Sequence, residues 1–145
     1  MGRPYHFGAR SLANLSTCDE RIQEVLFEVI TIRDCAVLCG RRPKEEQDRV
    51  FREGHSRVEW PDSRHNVVNP DDLAEAVDVV PWYAAKPHIR WNDREGFVHF
   101  AGVVLGVAGC LGVPLRWGGN WDGDQELLDQ SFFDLPHFEI LEGVE

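Results

Sequence analysis

Ile22, Val25, Leu26, Val29 and Ile30 recur at helical spacing and share one face of a predicted helix. Ahead of them, Thr17-Cys18-Asp19-Glu20 has the form of a capping box, with the Thr hydroxyl and Glu carboxylate satisfying free backbone N–H groups. The period then changes. Cys35 to Cys39 alternates and reads as a buried strand closed by Gly40, and Pro43 suits the first turn of a second helix running to about Gly54. A polar stretch continues to His65. Asn69-Pro70-Asp71-Asp72 predicts a turn or a short helix start. Ala76-Val77-Asp78-Val79-Val80 is a β-branched run, predicted as a strand ending at Pro81. Asn92 is the expected cap of a third helix reaching Cys110, with Glu95 three residues on, and Gly102, Gly106 and Gly109 predict close backbone packing of that helix against a sheet. Leu115–Trp117 and His137–Ile140 are the later strand candidates. Helices and strands do not alternate regularly, so an α+β fold is expected rather than a doubly wound sheet.

Length and composition narrow the class. A chain of 145 residues with no linker-like or repetitive tract reads as one domain spanning 1–145, and its 43% hydrophobic content, with five Trp and eight Phe, supplies a core. The net charge of −10 excludes a nucleic-acid binder, which would need clustered Lys and Arg. Arg41, Arg42 and Lys44 do cluster, but beside Glu45, Glu46 and Asp48, the composition of a solvated helix face. The apolar run Phe97 to Val113 contains His99 and four glycines. It is shorter than the roughly 20 residues a membrane span requires, so a buried core helix without membrane insertion is expected. Met1 to Gly8 lacks the apolar core and cleavage site of a signal peptide. Of Cys18, Cys35, Cys39 and Cys110, Cys35 and Cys39 are four apart but no second pair stands at zinc-finger spacing, and on a buried strand these two read as free core thiols.

Two local patterns carry chemistry. Ser63-Arg64-His65 is followed, after an irregular loop, by Asp78 on an apolar strand, where a carboxylate is unfavourable unless paired or bound to a metal. Asp134-Leu135-Pro136-His137-Phe138-Glu139 places two carboxylates around a histidine. Two histidines and a carboxylate form a three-ligand set that leaves the fourth position of zinc open to water, and a further carboxylate beside it could take that water's proton. Asp71 and Asp72 in the loop are alternatives to Asp78 as ligand. The apolar strand context favours Asp78, whereas the other two suit helix N-terminal charge.

In order along the chain, Ser63/His65, Ala76/Asp78 and Asp134/His137 resemble the motifs of the zinc D-Ala-D-Ala carboxypeptidase and L-alanyl-D-glutamate endopeptidase family, which includes many phage endolysins. Gly40-Arg41-Arg42 with Gln47, and Arg116-Trp117-Gly118-Gly119-Asn120-Trp121, extend the likeness over residues 38–140. The resemblance implies a small antiparallel sheet carrying a zinc site with helices around it, as in the D,D-peptidase and Hedgehog group. It implies that His65, Asp78 and His137 bind Zn2+ and that Asp134 is the general base. Arg42 would meet the scissile carbonyl or a substrate carboxylate, Ser63 would hydrogen-bond substrate, and Glu139 would orient His137. The implied substrate is a peptidoglycan stem peptide, cut between L-Ala and D-Glu by a monomeric lysin that waits in the host cytoplasm and acts on the wall after release. A D,D-carboxypeptidase or D,D-dipeptidase shares the same metal site, and an inactive wall-binding phage protein would share the fold. The chain departs from the family pattern in its twelve-residue loop between His65 and Asp78, longer than usual, in Ala74 where Gly is common, and in Asn120 where Asp is common.

Overall fold

The computed structural model describes residues 5–120 and 134–141. Four helices, α1 (Ala9–Leu15), α2 (Glu20–Val29), α3 (Lys44–Arg52) and α4 (Arg94–Leu111), accompany four strands, β1 (Cys35–Cys39), β2 (Ala76–Pro81), β3 (Leu115–Trp117) and β4 (His137–Ile140). The strands form one antiparallel sheet in the order β1-β2-β4-β3. The α+β architecture is the one expected. Helix α1, short and weakly patterned, is an addition that the periodicity did not reveal.

Strand alternation divides the sheet into two faces. Val77 and Val79 of β2 and Phe138 and Ile140 of β4 enter the core, where α2 contributes Ile22, Val25, Leu26 and Val29 and α4 contributes Phe100, Ala101, Val104 and Ala108. The opposite face carries Asp78, His137 and Glu139, and the pairs Asp78↔His137 and Val77↔Phe138 fix the register. A one-residue slip would bury the acids in the core and expose the valines. Burying rings such as Phe100 and Phe138 contributes about 1.5–3 kcal/mol each, which lets the opposite face carry charge.

The edge strand β1 is covered by side chains of α1. Ser11 Oγ accepts from Val37 N–H at 3.0 Å and Asn14 Nδ2 donates to the Val37 carbonyl at 2.9 Å, occupying edge groups that would otherwise be open to another strand. A bulge between Val37 and Cys39 then sets Cys39 opposite Asp78.

Several local expectations are corrected. Asp19, not Thr17, caps α2, accepting from Arg21 N–H at 2.8 Å. Thr17 Oγ1 instead accepts from Arg41 N–H at 2.8 Å and donates to the Asn14 carbonyl, so tertiary contacts claim the hydroxyl. Asp93, not Asn92, caps α4 through Gly96 N–H. Gly102, Gly106 and Gly109 do not pack against the sheet. A Cβ at any of them would meet nothing within 4 Å, because they lie on the outer face of α4. The helix is therefore buried on one face only, rather than being a wholly buried core helix. Among the described residues it is the one helix long and apolar enough, by length and composition, to cross a membrane. The glycine that α4 does require is Gly112, at φ 72°, where the left-handed residue lets Val113 N–H reach the Ala108 carbonyl at 2.8 Å.

Candidate active site

Each side chain of the site is set by a different local device. His65 lies in a tight turn in which Asn66 N–H donates to the Ser63 carbonyl, Asn66 Oδ1 accepts from Ser63 N–H, and Ser63 Oγ accepts from His65 N–H. That turn is tied to the chain after β1 by Arg42 N–H donating to the His65 carbonyl at 2.8 Å. On its other side Gly40 lets the same segment lie against the end of α1, since a Cβ there would collide with Thr17 and with the Asn14 carbonyl. Asp78 and His137 face each other across β2 and β4.

Three donor atoms converge. His65 Nε2 lies 3.1 Å from Asp78 Oδ1 and 3.1 Å from His137 Nδ1, and His137 Nδ1 lies 3.4 Å from Asp78 Oδ1. A tetrahedral zinc with ligands at about 2.0–2.1 Å separates its donors by roughly 3.3 Å, so these spacings fit one ion. The far nitrogens are committed elsewhere. His65 Nδ1 donates to the Gly40 carbonyl at 2.7 Å and His137 Nε2 to Glu139 Oε1 at 2.7 Å, which turns both lone pairs inward. Two inward lone pairs and a carboxylate repel one another unless a proton or a cation sits among them. Asp134 completes the group, with Oδ2 3.9 Å from His137 Nδ1. Asp71 and Asp72 remain outside it, exposed, in a turn closed by Asp72 N–H on the Asn69 carbonyl.

The electrostatics agree with a cation trap. Burial opposes charge on His65, but the Asp78 carboxylate, helped by Cys39, outweighs it and raises the imidazole to about 10. Burial likewise opposes charge on His137, and hydrogen bonds to Asp78 and Glu139 overcome it, so His137 is raised as well. Burial would raise Asp78, yet the His65 charge and the His137 hydrogen bond hold it well below the usual carboxylate range. Burial, then the Asp78 charge, push Asp134 upward.

Around these lie contacts that pattern-reading did not assign. Glu139 Oε2 accepts from Arg116 Nη2 at 2.8 Å, extending the His137–Glu139 bond into a relay. The signal was the Arg116↔Glu139 register between β3 and β4, which exists only once the strands pair. Gln47, fully buried, accepts from Arg42 Nη1 at 3.0 Å and from Asn66 Nδ2 at 3.1 Å, and donates to Ser56 Oγ and the Val58 carbonyl. It thereby aims Arg42, whose Nη2 lies 3.2 Å from Asp78 Oδ2. Cys39 is not a core thiol. Its Sγ is 3.9 Å from His65 Nδ1, whereas Cys35 is buried as expected; Cys18 is buried and Cys110 exposed. The Arg116–Asn120 segment holds the turn that bears Asp134. Trp117 Nε1 donates to the Leu135 carbonyl, Asp134 N–H to the Gly118 carbonyl and Gly118 N–H to the His137 carbonyl. Trp121 lies outside the described residues.

The chain is similar to known proteins over nearly its whole length. The L-alanyl-D-glutamate peptidase of Escherichia phage T5 is 23% identical over 142 residues, covering 94% of this chain and 98% of that protein. The solved structure of Serratia marcescens L-Ala D-Glu endopeptidase ChiX superposes with a TM-score of 0.71 at 25% identity, covering 95% of this chain and 92% of that one. The sequence profile of the phage L-alanyl-D-glutamate peptidases matches residues 3–141, and the chain belongs to that family.

Proposed function

We propose that this chain is a zinc-dependent peptidase that hydrolyses the L-alanyl–D-glutamate bond of peptidoglycan stem peptides, acting on the cell wall in phage lysis. The observation that carries the metal is the convergence of His65 Nε2, Asp78 Oδ1 and His137 Nδ1 at 3.1–3.4 Å, with both far imidazole nitrogens already engaged. Family membership and the names of both relatives support the bond and the wall as the target.

His65, Asp78 and His137 would hold the ion, which supplies Lewis-acid activation of water and of the scissile carbonyl. Asp134 takes the proton of the attacking water and delivers it to the leaving amine. Its raised pKa brings it closer to the range in which a base can do both. Glu139, bonded to His137 Nε2 and Arg116, keeps the His137 ring in one tautomer. Arg42, with its side chain 12% exposed and anchored by Gln47, would stabilise charge that develops on the substrate oxygen. Ser63 closes the His65 turn through its oxygen, and its hydroxyl would donate to substrate.

Digestion of purified sacculi followed by mass spectrometry tests the reading. A new N-terminal D-glutamate supports it. Loss of terminal D-alanine with no such end would assign the site to a D,D-carboxypeptidase instead. Metal analysis should find about one zinc per chain.

A further inference from the structure

The connection from β2 to α4 takes no part in the chemistry above. From Val79 to Asn92 the chain has Lys86, His88 and Arg90 and no acidic residue, in a protein of net charge −10, and it holds Trp82, Tyr83 and Trp91. The segment is firmly built. Tyr83 N–H donates to the His88 carbonyl at 2.9 Å, and His88 Nδ1 lies 2.8 Å from the Tyr83 carbonyl. The Trp82 and His88 rings stack with centroids 4.6 Å apart, 8° from parallel. Trp82 N–H donates to the Asp34 carbonyl and Arg33 Nη1 to the Trp82 carbonyl, both at 3.1 Å, which pins the segment to the end of the sheet. The guanidinium carbons of Arg90 and Arg33 lie 3.8 and 4.8 Å from the Tyr83 ring centroid. Trp82 and Tyr83 are thus engaged within the fold.

Trp91 is different. It meets Phe97 with centroids 6.1 Å apart, yet 55% of it is exposed, and apolar surface left in water forgoes about 25 cal/mol for each Å². It borders a shallow concavity of about 490 Å³ together with Pro87, Ile89, Arg90, Asn92 and Asp93. A flat exposed ring flanked by a guanidinium, an amide and a carboxylate suits a ligand with apolar faces and hydrogen-bonding edges. An N-acetylated sugar ring has that form.

We infer that this platform binds the glycan strand of peptidoglycan, with Trp91 stacked on a sugar face. The inference rests on the proposed substrate, because the stem peptide joins the glycan through its L-alanine and a catalyst cutting the next bond must let the strand pass close by. The segment that carries Trp91 leaves β2 at Trp82, four residues after Asp78 or about 13 Å along an extended strand, so it begins within reach of such a polymer. The locally basic segment also offsets the repulsion between an acidic protein and a polymer bearing carboxylates.

The test compares cleavage of sacculi with cleavage of a soluble, glycan-free stem peptide. Trp91→Ala should lower kcat/KM on sacculi about tenfold, mostly through KM, and change kcat/KM on the peptide by less than about twofold; Trp91→Phe should restore most of the loss. Equal losses on both substrates, or none on sacculi, would overturn the inference. If the wild-type protein cleaves neither substrate, the proposed activity is what fails, and co-sedimentation with sacculi decides this point alone. Wild-type pelleting that Trp91→Ala abolishes supports the glycan contact, and equal pelleting of the two proteins refutes it.

Discussion

Both histidines of the site are defined by the nitrogen that faces away from it. Gly40 and Glu139 take those nitrogens, so the inward donors are fixed before any ion arrives. His65→Ala or His137→Ala should therefore lose zinc, since two remaining protein ligands hold it poorly, and elemental analysis reads this directly. Asp134→Ala removes no proposed ligand. It should keep its zinc and its fold while losing about 10²–10⁴-fold in turnover. Near-normal turnover in that variant would move the base to another carboxylate, with Glu139 the next candidate. Gln47→Leu tests the support beneath Arg42. It strips partners from Arg42, Asn66, Ser56 and the Val58 carbonyl around a fully buried position, and should destabilise by about 1–3 kcal/mol in urea titrations. A stability equal to wild type would show that these groups find other partners.

Glycines separate the elements that carry the site from those that do not. A Cβ at Gly118 would collide with the Asp134 carbonyl, because β3 and the turn into β4 meet there backbone to backbone. Gly118→Ala should lower both stability and activity by displacing the turn that presents Asp134. On α4 a Cβ at Gly106 meets only open space, so Gly106→Ala should stabilise by about 0.5–1 kcal/mol with activity unchanged. Thermal unfolding of the two variants should shift in opposite directions, and a parallel shift would contradict these placements. The strands 35–39 and 76–81 and the apolar face of α2 were legible from periodicity, because alternation and helical spacing are local consequences of burial. The caps were displaced by one or two residues. Thr17, Asp19, Asn92 and Asp93 are all competent caps by type, and only tertiary contacts decide which of them is drawn elsewhere.

For the molecule as a whole, the site couples folding to pH and, on the proposed function, to metal. Burial would raise Glu139, but the His137 hydrogen bond and charge, followed by Arg116, lower it from its ordinary 4.5 to about 2. A carboxylate depressed in the folded state stabilises fully above its unfolded pKa, and that stability is lost as pH falls through the folded value. Urea midpoints of the wild-type protein should decline between about pH 4.5 and pH 2, with a smaller decline in Glu139→Gln. Identical pH profiles for the two would show that Glu139 is not linked to folding. Chelation should lower Tm, since an ion bound only by the folded chain stabilises it by mass action. An unchanged Tm after verified removal of zinc would argue against His65, Asp78 and His137 as its holders.

By itself the sequence determined the class of the fold and most of its elements, and motif and family resemblance name His65, Asp78, Asp134, His137, Glu139 and Arg42 as candidate site residues. Those motifs are short and ordered along the chain, and an acid inside an apolar strand is conspicuous without coordinates. Tertiary structure decided what depends on strand pairing and on packing between distant segments. It placed Asp78 at the histidines and left Asp71 and Asp72 outside, and it joined Arg116 to Glu139 through the β3–β4 register. It turned Cys39 toward His65 at a bulge and buried Gln47 beneath Arg42. None of these has a local signature, because each is a distance between residues far apart in the chain, set only when the sheet closes over its core.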